Sequence, residues 1–465
     1  MGRFLLFLTA AAMLSSCCTD NYTAEILSAD SVPESHVSAP SGRTRSYGEA
    51  LEIARQSIGI VDGPEVTRAG KARTIRDGRC VTRQSTRNDG IEQTDTLVYV
   101  FNFNDNAGFS IIAADRCVSP VLVVTEQGNY EYGQPTGIEG FDNYMDSMTA
   151  ELANMPNLPI FDFPVGYSKT ETFKDDKIGP LCTTKWDQDG VFGAYCSNDV
   201  AGCTTIAMAQ IMAYWEYPNS ITTTYTDKNK NVSITPNYDG IVPDIDNPNA
   251  QHIGETFYIH WDEIKNHKTG CSSASCEQNH WEISALIKQI GELNSSVYFT
   301  YPTDVSKNYT SVYSYNSFPT PFSRTGYNKE SLSLHIFDWD YVRSELDNLR
   351  PLIIDASSGR GGHTWVLDGY IDKDEKTTFY EIDYIDYKGD KAIPHYKVSS
   401  IIEDKQQLVH FNWGWGGECD GYFTATNSFS TTEGVKYDSN ETIIHDLNFL
   451  QQNVMLQGGI YPKTE

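Results

Sequence analysis

Cys203 is the side chain in this sequence whose position best suits a nucleophile. It follows two small residues, Ala201 and Gly202, and lies in a stretch with helical spacing, residues 202–217, that Pro218 ends. The unpaired backbone N–H groups and the positive dipole end at a helix start favour a thiolate over a thiol. The small neighbours would let a substrate backbone approach. A buried structural cysteine at a helix end fits the same residues, so Cys203 alone leaves two interpretations open.

His363 is the histidine best placed to serve that thiolate. A nucleophilic thiol needs a base that holds its proton and returns it to the leaving group, and the pKa of imidazole suits this exchange. His363 follows the glycine-rich residues 357–362, which keep side chains clear of the ring, and it opens an apolar strand at 363–368. The other nine histidines lie in polar loops or at less distinctive places, where an exposed side chain is the default.

A third motif, residues 410–423, combines Asn412 and Trp413 with several glycines. An asparagine carbonyl that accepts the second imidazole N–H would fix the ring tautomer, and an adjacent tryptophan can shield that hydrogen bond from water. Gln188 precedes Cys203 by 15 residues and is placed to donate its amide N–H to an oxyanion. A core strand with a glycine-rich turn is the alternative interpretation of the motif, and Gln188 by itself is unremarkable.

Three motifs taken together resemble the streptopain-like cysteine peptidases, a secreted bacterial branch of the papain-like fold. The motifs are Gly202-Cys203 with residues 207–212, Gly361-Gly362-His363 with residues 366–369, and residues 412–417 with residues 420–423. The resemblance runs from about Pro180 to about Phe423. The segment from Tyr47 to about Asn157 looks like the inhibitory propeptide of the same family.

The resemblance implies a role for each of the five residues. Cys203 would be the nucleophile, His363 the general acid/base, Asn412 the residue that orients it, Trp413 its shield and Gln188 an oxyanion donor. It also implies an endopeptidase that prefers an apolar residue one position before the scissile residue and needs no metal or organic cofactor. One departure is large: about 40 residues, many of them acidic or tyrosine, separate Gly369 from Phe411, where the family has a short hairpin.

The periodicity predicts an α+β protein, with a papain-like cysteine peptidase domain preceded by a small α+β propeptide domain. Predicted helices lie before Gly59 and at residues 141–155, 202–217, 281–290 and 341–349. Predicted strands lie at residues 97–103, 108–115, 121–124, 352–355, 363–368 and 408–413. The basic residues 66–90 are interpreted as a solvated loop, and the polar residues 168–177 as an accessible domain boundary.

The start of the chain predicts export. Arg3 precedes an apolar run, residues 4–13, that is too short to span a bilayer, and residues 14–17 resemble the lipobox of bacterial lipoproteins. Cys17 is therefore a candidate for lipid attachment to a membrane, and an ordinary signal peptide is the alternative. The predicted domains are a signal peptide at 1–17, a propeptide at 18–168 and a streptopain-like peptidase domain at 169–465.

Composition excludes some classes of partner. The chain of 465 residues has 35 Lys and Arg against 62 Asp and Glu, a net charge of −27, which argues against nucleic acid and against an anionic membrane surface. The cysteines form no repeated zinc-binding spacing, so a metal site is not expected. Local disulfides are feasible between Cys271 and Cys276, in a polar loop, and between Cys182 and Cys196.

These observations predict a secreted or lipid-anchored zymogen that cleavage between about Pro164 and Pro180 converts into a peptidase. Its partners would be protein or peptide substrates and its own propeptide, the intramolecular inhibitor. Two alternatives remain at this stage. One is a papain-like acyl-transfer enzyme or amidase, which uses the same cysteine and histidine chemistry. The other is a catalytically inactive surface-binding lipoprotein.

Overall fold

The structure is a computed structural model that describes fourteen segments of the chain. They are residues 44–66, 73–86, 92–116, 118–154, 167–222, 233–237, 240–244, 256–267, 274–312, 317–358, 361–388, 391–433, 442–448 and 454–462. We call residues 44–154 the N-terminal region and residues 167–462 the C-terminal region. No helix among these segments is long and apolar enough to cross a membrane.

The N-terminal region is an antiparallel sheet with a helix on each face. Helix α1 spans Tyr47–Val66 and is followed by β1 (Ile75–Thr86), β2 (Glu92–Phe103), β3 (Phe109–Ala113), β4 (Val121–Thr125) and helix α2 (Glu139–Asn154). Alternate residues of a strand point to opposite faces. Tyr99 and Phe101 of β2 therefore pack with α1, whereas Val98 and Val100 pack in the same cluster as α2.

A capping box starts α1. The backbone N–H of Ser46 donates to the Glu49 carboxylate at 2.7 Å, and the backbone N–H of Glu49 donates to Ser46 Oγ at 3.3 Å. This helix continues past Gly59, where the sequence pattern predicts its end. Packing of its buried side chains on the sheet compensates for the weak helix propensity of glycine.

The C-terminal region begins with a strand and a helical layer. Its first elements are β5 (Tyr167–Ile178), α3 (Cys203–Trp215), α4 (Trp261–Ile264), α5 (Ala274–Leu293) and α6 (Pro319–Arg324), with three two-stranded sheets between them. These sheets pair β6 (Ser220–Thr222) with β9 (Thr256–Tyr258), β7 (Ser233–Asn237) with β8 (Gly240–Asp244), and β10 (Val297–Phe299) with β11 (Tyr309–Ser311). Residues 204–213 of α3 are all buried, so this helix has no solvated face.

The remaining elements are one helix and the strands that complete one large sheet. They are β12 (Ser333–Ile336), α7 (Trp339–Asp347), β13 (Leu352–Ser358), β14 (Gly361–Lys388), β15 (Lys391–Asn412), β16 (Gly421–Glu433), β17 (Thr442–Asn448) and β18 (Val454–Gly458). The strand order is β1-β2-β3-β4-β16-β15-β14-β13-β18-β12, with β17 beside β16 and β5 beside β14. Because β4 pairs with β16, the sheets of the two regions are continuous.

The predicted α+β class is confirmed, and three local predictions are wrong. Residues 75–86, within the expected solvated loop, form β1 and pair with β2. Residues 167–178, the expected accessible boundary, form β5 and pair with β14. Cys276 lies in helix α5 instead of a polar loop, and Cys271 lies outside the described residues. In the first two cases, pairing overrides a polar local sequence: β1 pairs with the next strand along the chain, and β5 pairs with the distant β14.

The long departure between Gly369 and Phe411 is an extension of two strands. β14 and β15 pair antiparallel from Val366 and Asn412 out to Lys388 and Lys391, with three irregularities in register along the way. This extended hairpin accepts β5 on its β14 side and β16 on its β15 side. The insertion therefore enlarges the sheet.

Candidate active site

Cys203 is the first residue of α3, as the sequence predicts. Gly202 precedes it with φ +88°, a left-handed conformation that favours glycine, and a Cβ there would lie 2.9 Å from Thr310 Cβ. Strand β11 thus packs closely on the backbone that leads into the nucleophile. The half-buried thiol lies at the positive end of a helix dipole of 13 residues.

The environment of Cys203 nevertheless favours the neutral thiol. Burial raises the pKa of the Cys203 thiol and the nearby Asp355 carboxylate acts in the same direction, while hydrogen bonding with Thr364 and Thr204 acts against them. Thr364 lies between these groups, because its hydroxyl donates to Asp355 Oδ1 at 2.6 Å and pairs with Thr204 Oγ1 at 2.9 Å. In this form the thiol lacks the ionised state that a nucleophile needs.

His363 lies on β14, opposite Ala356 of β13, and is 3% exposed. Its Nε2–H donates to the carbonyl oxygen of Trp413 at 3.0 Å. A carbonyl only accepts, so Nε2 carries the proton. Burial lowers the pKa of His363, and the Trp413 carbonyl with the charges of Glu139 and Asp355 opposes that shift. The imidazole is therefore neutral near pH 7, like the thiol.

Asn412 ends β15 and is 2% exposed, but among the described residues its amide contacts other groups than His363. Asn412 Nδ2 donates to Thr184 O at 2.9 Å, and Asn412 Oδ1 accepts from Gln210 Nε2 at 3.0 Å and from Gly414 N at 3.2 Å. The predicted hydrogen bond between Asn412 and the imidazole is thus not formed in this arrangement. The backbone of the next residue, Trp413, holds the ring instead.

Trp413 is fully buried beside the imidazole. The centroids of the Trp413 and His363 rings are 6.1 Å apart, and the Trp365 ring lies 4.7 Å from that of Trp413. The indole Nε1–H donates to Cys419 O at 3.1 Å, and the backbone N–H of Trp413 donates to Asp420 Oδ1 at 2.9 Å. These contacts fix the residue whose carbonyl holds His363.

Gln188 lies close to the nucleophile and has an unused donor. Its backbone carbonyl oxygen accepts from the backbone N–H of Ala201 at 2.7 Å, which ties Gln188 to the residues that lead into Cys203. Gln188 is 7% exposed, and its buried Nε2 has no hydrogen-bond partner among the described residues. A buried donor without an acceptor costs about 1–3 kcal/mol. An amide kept at that cost suits a group that binds a substrate oxygen.

Helix α2 of the N-terminal region covers the imidazole. Gly140, its second residue, is buried, and a Cβ there would lie 2.5 Å from His363 Cδ2 and 2.7 Å from Trp413 Cζ3. Phe141 and Tyr144 follow, with ring centroids 6.1 Å and 5.2 Å from that of Phe423. Glycine at position 140 lets the helix backbone approach this closely.

A buried charge cluster also joins the two regions. Glu126, just after β4, faces His410 Nε2 at 3.4 Å and Lys185 Nζ at 3.1 Å. His410 Nδ1–H donates to Asp368 Oδ1 at 2.6 Å, and Lys185 Nζ reaches Asp420 Oδ2 at 3.2 Å. Since Asp420 also holds the Trp413 backbone, the cluster connects the N-terminal region to the peptide that binds His363.

The cluster shifts the pKa values of its members strongly. Burial opposes the charged Glu126 carboxylate, but hydrogen bonding and charge from His410, helped by Lys185, lower its pKa to about 2. Burial opposes protonated His410, but Asp368 and Glu126 raise its pKa to about 9. His410 is 1% exposed, so the default expectation of an exposed side chain is wrong for this histidine. Its carboxylate partners compensate for the burial of an ionised ring.

Hydrogen bonds join His363 to Trp413, and Asn412 to Gln210 of α3. Cys203 begins that same helix, and Gln188 is bonded to Ala201 just before it. Sequence reasoning missed Gln210, Asp420 and Glu126. A polar residue at position 210 in an otherwise apolar helix was a usable signal, whereas the other two depend on long-range contacts. Cys182 and Cys196 are both thiols, so the disulfide considered between them is not formed.

Comparisons with known proteins agree with this division of the chain. A sequence model of the Peptidase C10 family matches residues 186–423, and a model described as Spi protease inhibitor matches residues 37–151. The first range contains all five predicted site residues, and the second contains Gly140 and Glu126.

Two relatives are similar over most of this chain. The thiol protease/hemagglutinin PrtT of Porphyromonas gingivalis is 23% identical over 355 residues, which are 71% of this chain and 34% of PrtT, so this chain spans about a third of that relative. Streptopain of Streptococcus pyogenes is 21% identical over 363 residues, which are 72% of this chain and 75% of streptopain. A solved fragment of prointerpain A from Prevotella intermedia aligns with a TM-score of 0.47 and 19% identity, over 83% of this chain and all of the fragment.

Proposed function

This chain belongs to the Peptidase C10 family and carries a Spi protease inhibitor domain ahead of its peptidase domain, and we propose that Cys203 and His363 form its catalytic pair. The family makes the chain a cysteine peptidase made with its own inhibitory propeptide. The finer proposal is an exported zymogen that hydrolyses peptide bonds in proteins. The N-terminal region described above corresponds to the propeptide.

The proposed reaction begins when the Cys203 thiolate attacks a peptide carbonyl carbon. The resulting oxyanion is held by the Gln188 amide N–H and the backbone N–H of Cys203. Protonated His363 then gives its proton to the departing amine, which leaves a thioester on Cys203. Water, deprotonated by His363, hydrolyses the thioester and restores the thiolate. Asn412 orients the imidazole during these steps, and Trp413 shields that contact from water.

One observation carries the proposal: helix α2 of the propeptide lies directly against His363 and Trp413. An inhibitor has to block the chemistry, and this contact leaves no room for a substrate over the imidazole. The neutral thiol and neutral imidazole fit the same resting state. Activation would remove α2 and free the ring to turn toward Asn412 and Cys203.

Contacts with the peptidase domain hold the propeptide on the site. Tyr144 O–H donates to Thr424 O at 2.9 Å, and the Phe141 ring lies 6.3 Å from that of Trp413 in an edge-on geometry. Aromatic pairs of this kind contribute about 1 kcal/mol each beyond the area they bury. The continuous pairing of β4 with β16 adds backbone hydrogen bonds. Release therefore needs cleavage of the connection, which turns an intramolecular inhibitor into a dissociable one.

The window predicted for that cleavage contains β5. β5, residues 167–178, pairs with β14, and Arg343 adds ion pairs to Asp176 at 2.6 Å and to Asp372 at 2.7 Å. A cut within β5 requires this strand to leave the sheet. We place the cut before Tyr167, because a cut there leaves β5 paired with β14 in the mature enzyme.

Export and membrane attachment are part of the proposal through residues 1–17, which lie outside the described residues. The apolar run after Arg3 and the lipobox at residues 14–17 support a cell-surface or outer-membrane lipoprotein anchored through Cys17. Secretion without a lipid is the alternative location. The family resemblance supports protein substrates with an apolar residue one position before the scissile residue.

The test compares full chains that begin at Thr19. Wild type is expected to convert to a shorter form on a gel and then to digest a denatured protein, whereas Cys203→Ala stays full-length and inactive, with an activity loss of at least about 1000-fold. Cys196→Ala, which removes another thiol of the peptidase domain, is the matched control and should still convert.

Two results would contradict the proposal. If Cys203→Ala, trimmed by an added protease, still digests the substrate, then Cys203 is not the nucleophile. If trimmed wild type digests no protein, the chain is not a peptidase, and transfer of an acyl group to added amines should be measured instead.

A further inference from the structure

Gln210 is a fully buried amide on the helix that begins with Cys203. The neighbouring residues of α3, 206–209 and 211–213, are apolar and buried, and Gln210 itself is 0% exposed. A polar side chain at such a position destabilises a protein unless it is hydrogen-bonded. Gln210 lies seven positions after Cys203, which is about two turns of the helix. The Gln210 amide therefore needs hydrogen-bond partners at this buried position.

Its partners lie on two other parts of the chain. Gln210 Nε2 donates to Asn412 Oδ1 at 3.0 Å, and Thr184 Oγ1 donates to Gln210 Oε1 at 2.9 Å. Asn412 Nδ2 completes the set by donating to Thr184 O at 2.9 Å. Three separate elements, the nucleophile helix, the loop after β5 and the end of β15, thus meet in one buried polar contact.

Backbone groups fix the orientation of both amides in this contact. Thr184 O can only accept and Gly414 N–H can only donate, so Nδ2 of Asn412 faces Thr184, and Oδ1 receives the Gly414 N–H at 3.2 Å. Gln210 must then present its own N–H to that oxygen. The Thr184 hydroxyl, in turn, must donate to Gln210 Oε1. No other arrangement satisfies all four groups.

We infer that Gln210 is a positioning residue for His363 that acts through Asn412. It links the helix that starts at Cys203 to the strand end where Asn412 and Trp413 hold or receive the imidazole. Asn412 Oδ1 accepts from both Gln210 and Gly414, so Gln210 fixes the strand end whose next residue, Trp413, presents its carbonyl to His363. The inference rests on the proposed function, because Asn412 affects catalysis only if His363 is the acid/base.

The decisive variant is Gln210→Glu, which keeps the size of the side chain and changes its donor. When the introduced carboxyl is charged, an acceptor faces the Asn412 oxygen and repels it. When it is protonated, its O–H can donate as the glutamine N–H does. Burial raises the pKa of a carboxyl, so the introduced carboxyl is expected to become protonated as the pH falls from about 8 to about 5. The ratio of variant to wild-type kcat should then rise as the pH falls.

The expected size of the effect is about a 30-fold lower kcat at pH 8, recovering at least about threefold by pH 5.5, with KM within about twofold of wild type. Gln210→Met should show a loss that is the same at every pH, because it has no proton to gain. Gln289→Glu is the matched control, since Gln289 is a buried glutamine of α5. Tm is measured for each variant.

A second pair of variants keeps the inference testable if Gln210→Glu does not fold. Thr184→Val removes the hydroxyl that anchors Gln210 and should lower kcat about threefold to tenfold, and Thr184→Ser should restore it. The inference is wrong if the kcat ratio of Gln210→Glu is independent of pH, or if its kcat matches that of Gln289→Glu. Retained activity in His363→Ala would instead contradict the proposed function.

Discussion

The two halves of the active site differ in how ready they are for catalysis. The half that carries Cys203 has its helix start, its glycine approach and a buried Gln188 donor that has no partner among the described residues, all within the peptidase domain. The half that carries His363 is covered by Gly140 of the propeptide, and its ring is bound to the Trp413 carbonyl. In the proposed mechanism, the inhibitor therefore acts on the base, while the proposed oxyanion donor is already in place.

This difference shows how inhibition can leave the fold intact. Turning one imidazole changes few contacts, whereas moving α3 would disturb a helix buried along residues 204–213. Burial shifts the pKa of the thiol upward and that of the imidazole downward, so both groups are neutral in the zymogen. Removing the propeptide should reverse both shifts, since each ion then stabilises the other.

Gln188→Ala tests whether the oxyanion side is built as described, and it has the largest expected effect. Loss of one oxyanion donor should lower kcat of the mature enzyme about 100-fold with little change in KM. Stability should not fall by the usual amount for a buried amide, because Nε2 has no partner in the part of the zymogen that the structure describes. Steady-state kinetics and Tm measure the two effects. An unchanged kcat would remove Gln188 from the site.

Gly140→Leu tests whether the covered imidazole explains the inactivity of the zymogen. The new side chain collides with His363 and Trp413, so the propeptide should dock less tightly and conversion should be about tenfold faster. The rate of conversion is followed on gels. Gly59→Leu is the matched control, since Gly59 is an exposed glycine of α1 with open space around its Cα. Equal conversion rates for the two variants would break the comparison between the halves.

Glu126→Gln tests the charge cluster and should have the smallest effect, about threefold faster conversion. In a Cys203→Ala background, which cannot convert, the substitution should lower the unfolding free energy by about 2 kcal/mol near neutral pH. The pKa of Glu126 falls to about 2 in the docked state from an ordinary value of about 4.3. Its contribution is therefore present above about pH 4.3 and is lost as the pH falls toward 2.

The measurement for Glu126 is the difference in Tm between the two proteins as a function of pH. That difference should be constant from about pH 5 to pH 6 and should vanish in acid. Glu131→Gln provides a control carboxylate of the propeptide, because Glu131 is exposed and its ion pair is with Arg79 of the same region. A difference that persists at pH 2 would show that Glu126 stabilises by packing alone.

Much of the site was predictable because its chemistry is local. A cysteine after small residues at a helix start, a histidine after glycines at a strand start and an asparagine before tryptophan are all short patterns, and the structure places each at the predicted kind of element. The strands at residues 97–103 and 121–124 and the helix at 141–155 were also predictable from periodicity. The charged strands β1 and β5 were not, because their polar local sequence does not favour a strand and only the pairing stabilises them as strands, with the next strand for β1 and with the distant β14 for β5.

The sequence by itself determined which groups are the candidates for the proposed chemistry and in which order they follow along the chain, since residue type and local spacing decide pKa range, helix starts and backbone approach. The tertiary structure decided which group holds the imidazole, which glycine covers it and which buried histidine is ionised. The Trp413 carbonyl, Gly140 and His410 acquire these roles only through contacts between residues far apart in the sequence. Such contacts depend on how the two sheets join, and that follows from packing of the whole chain.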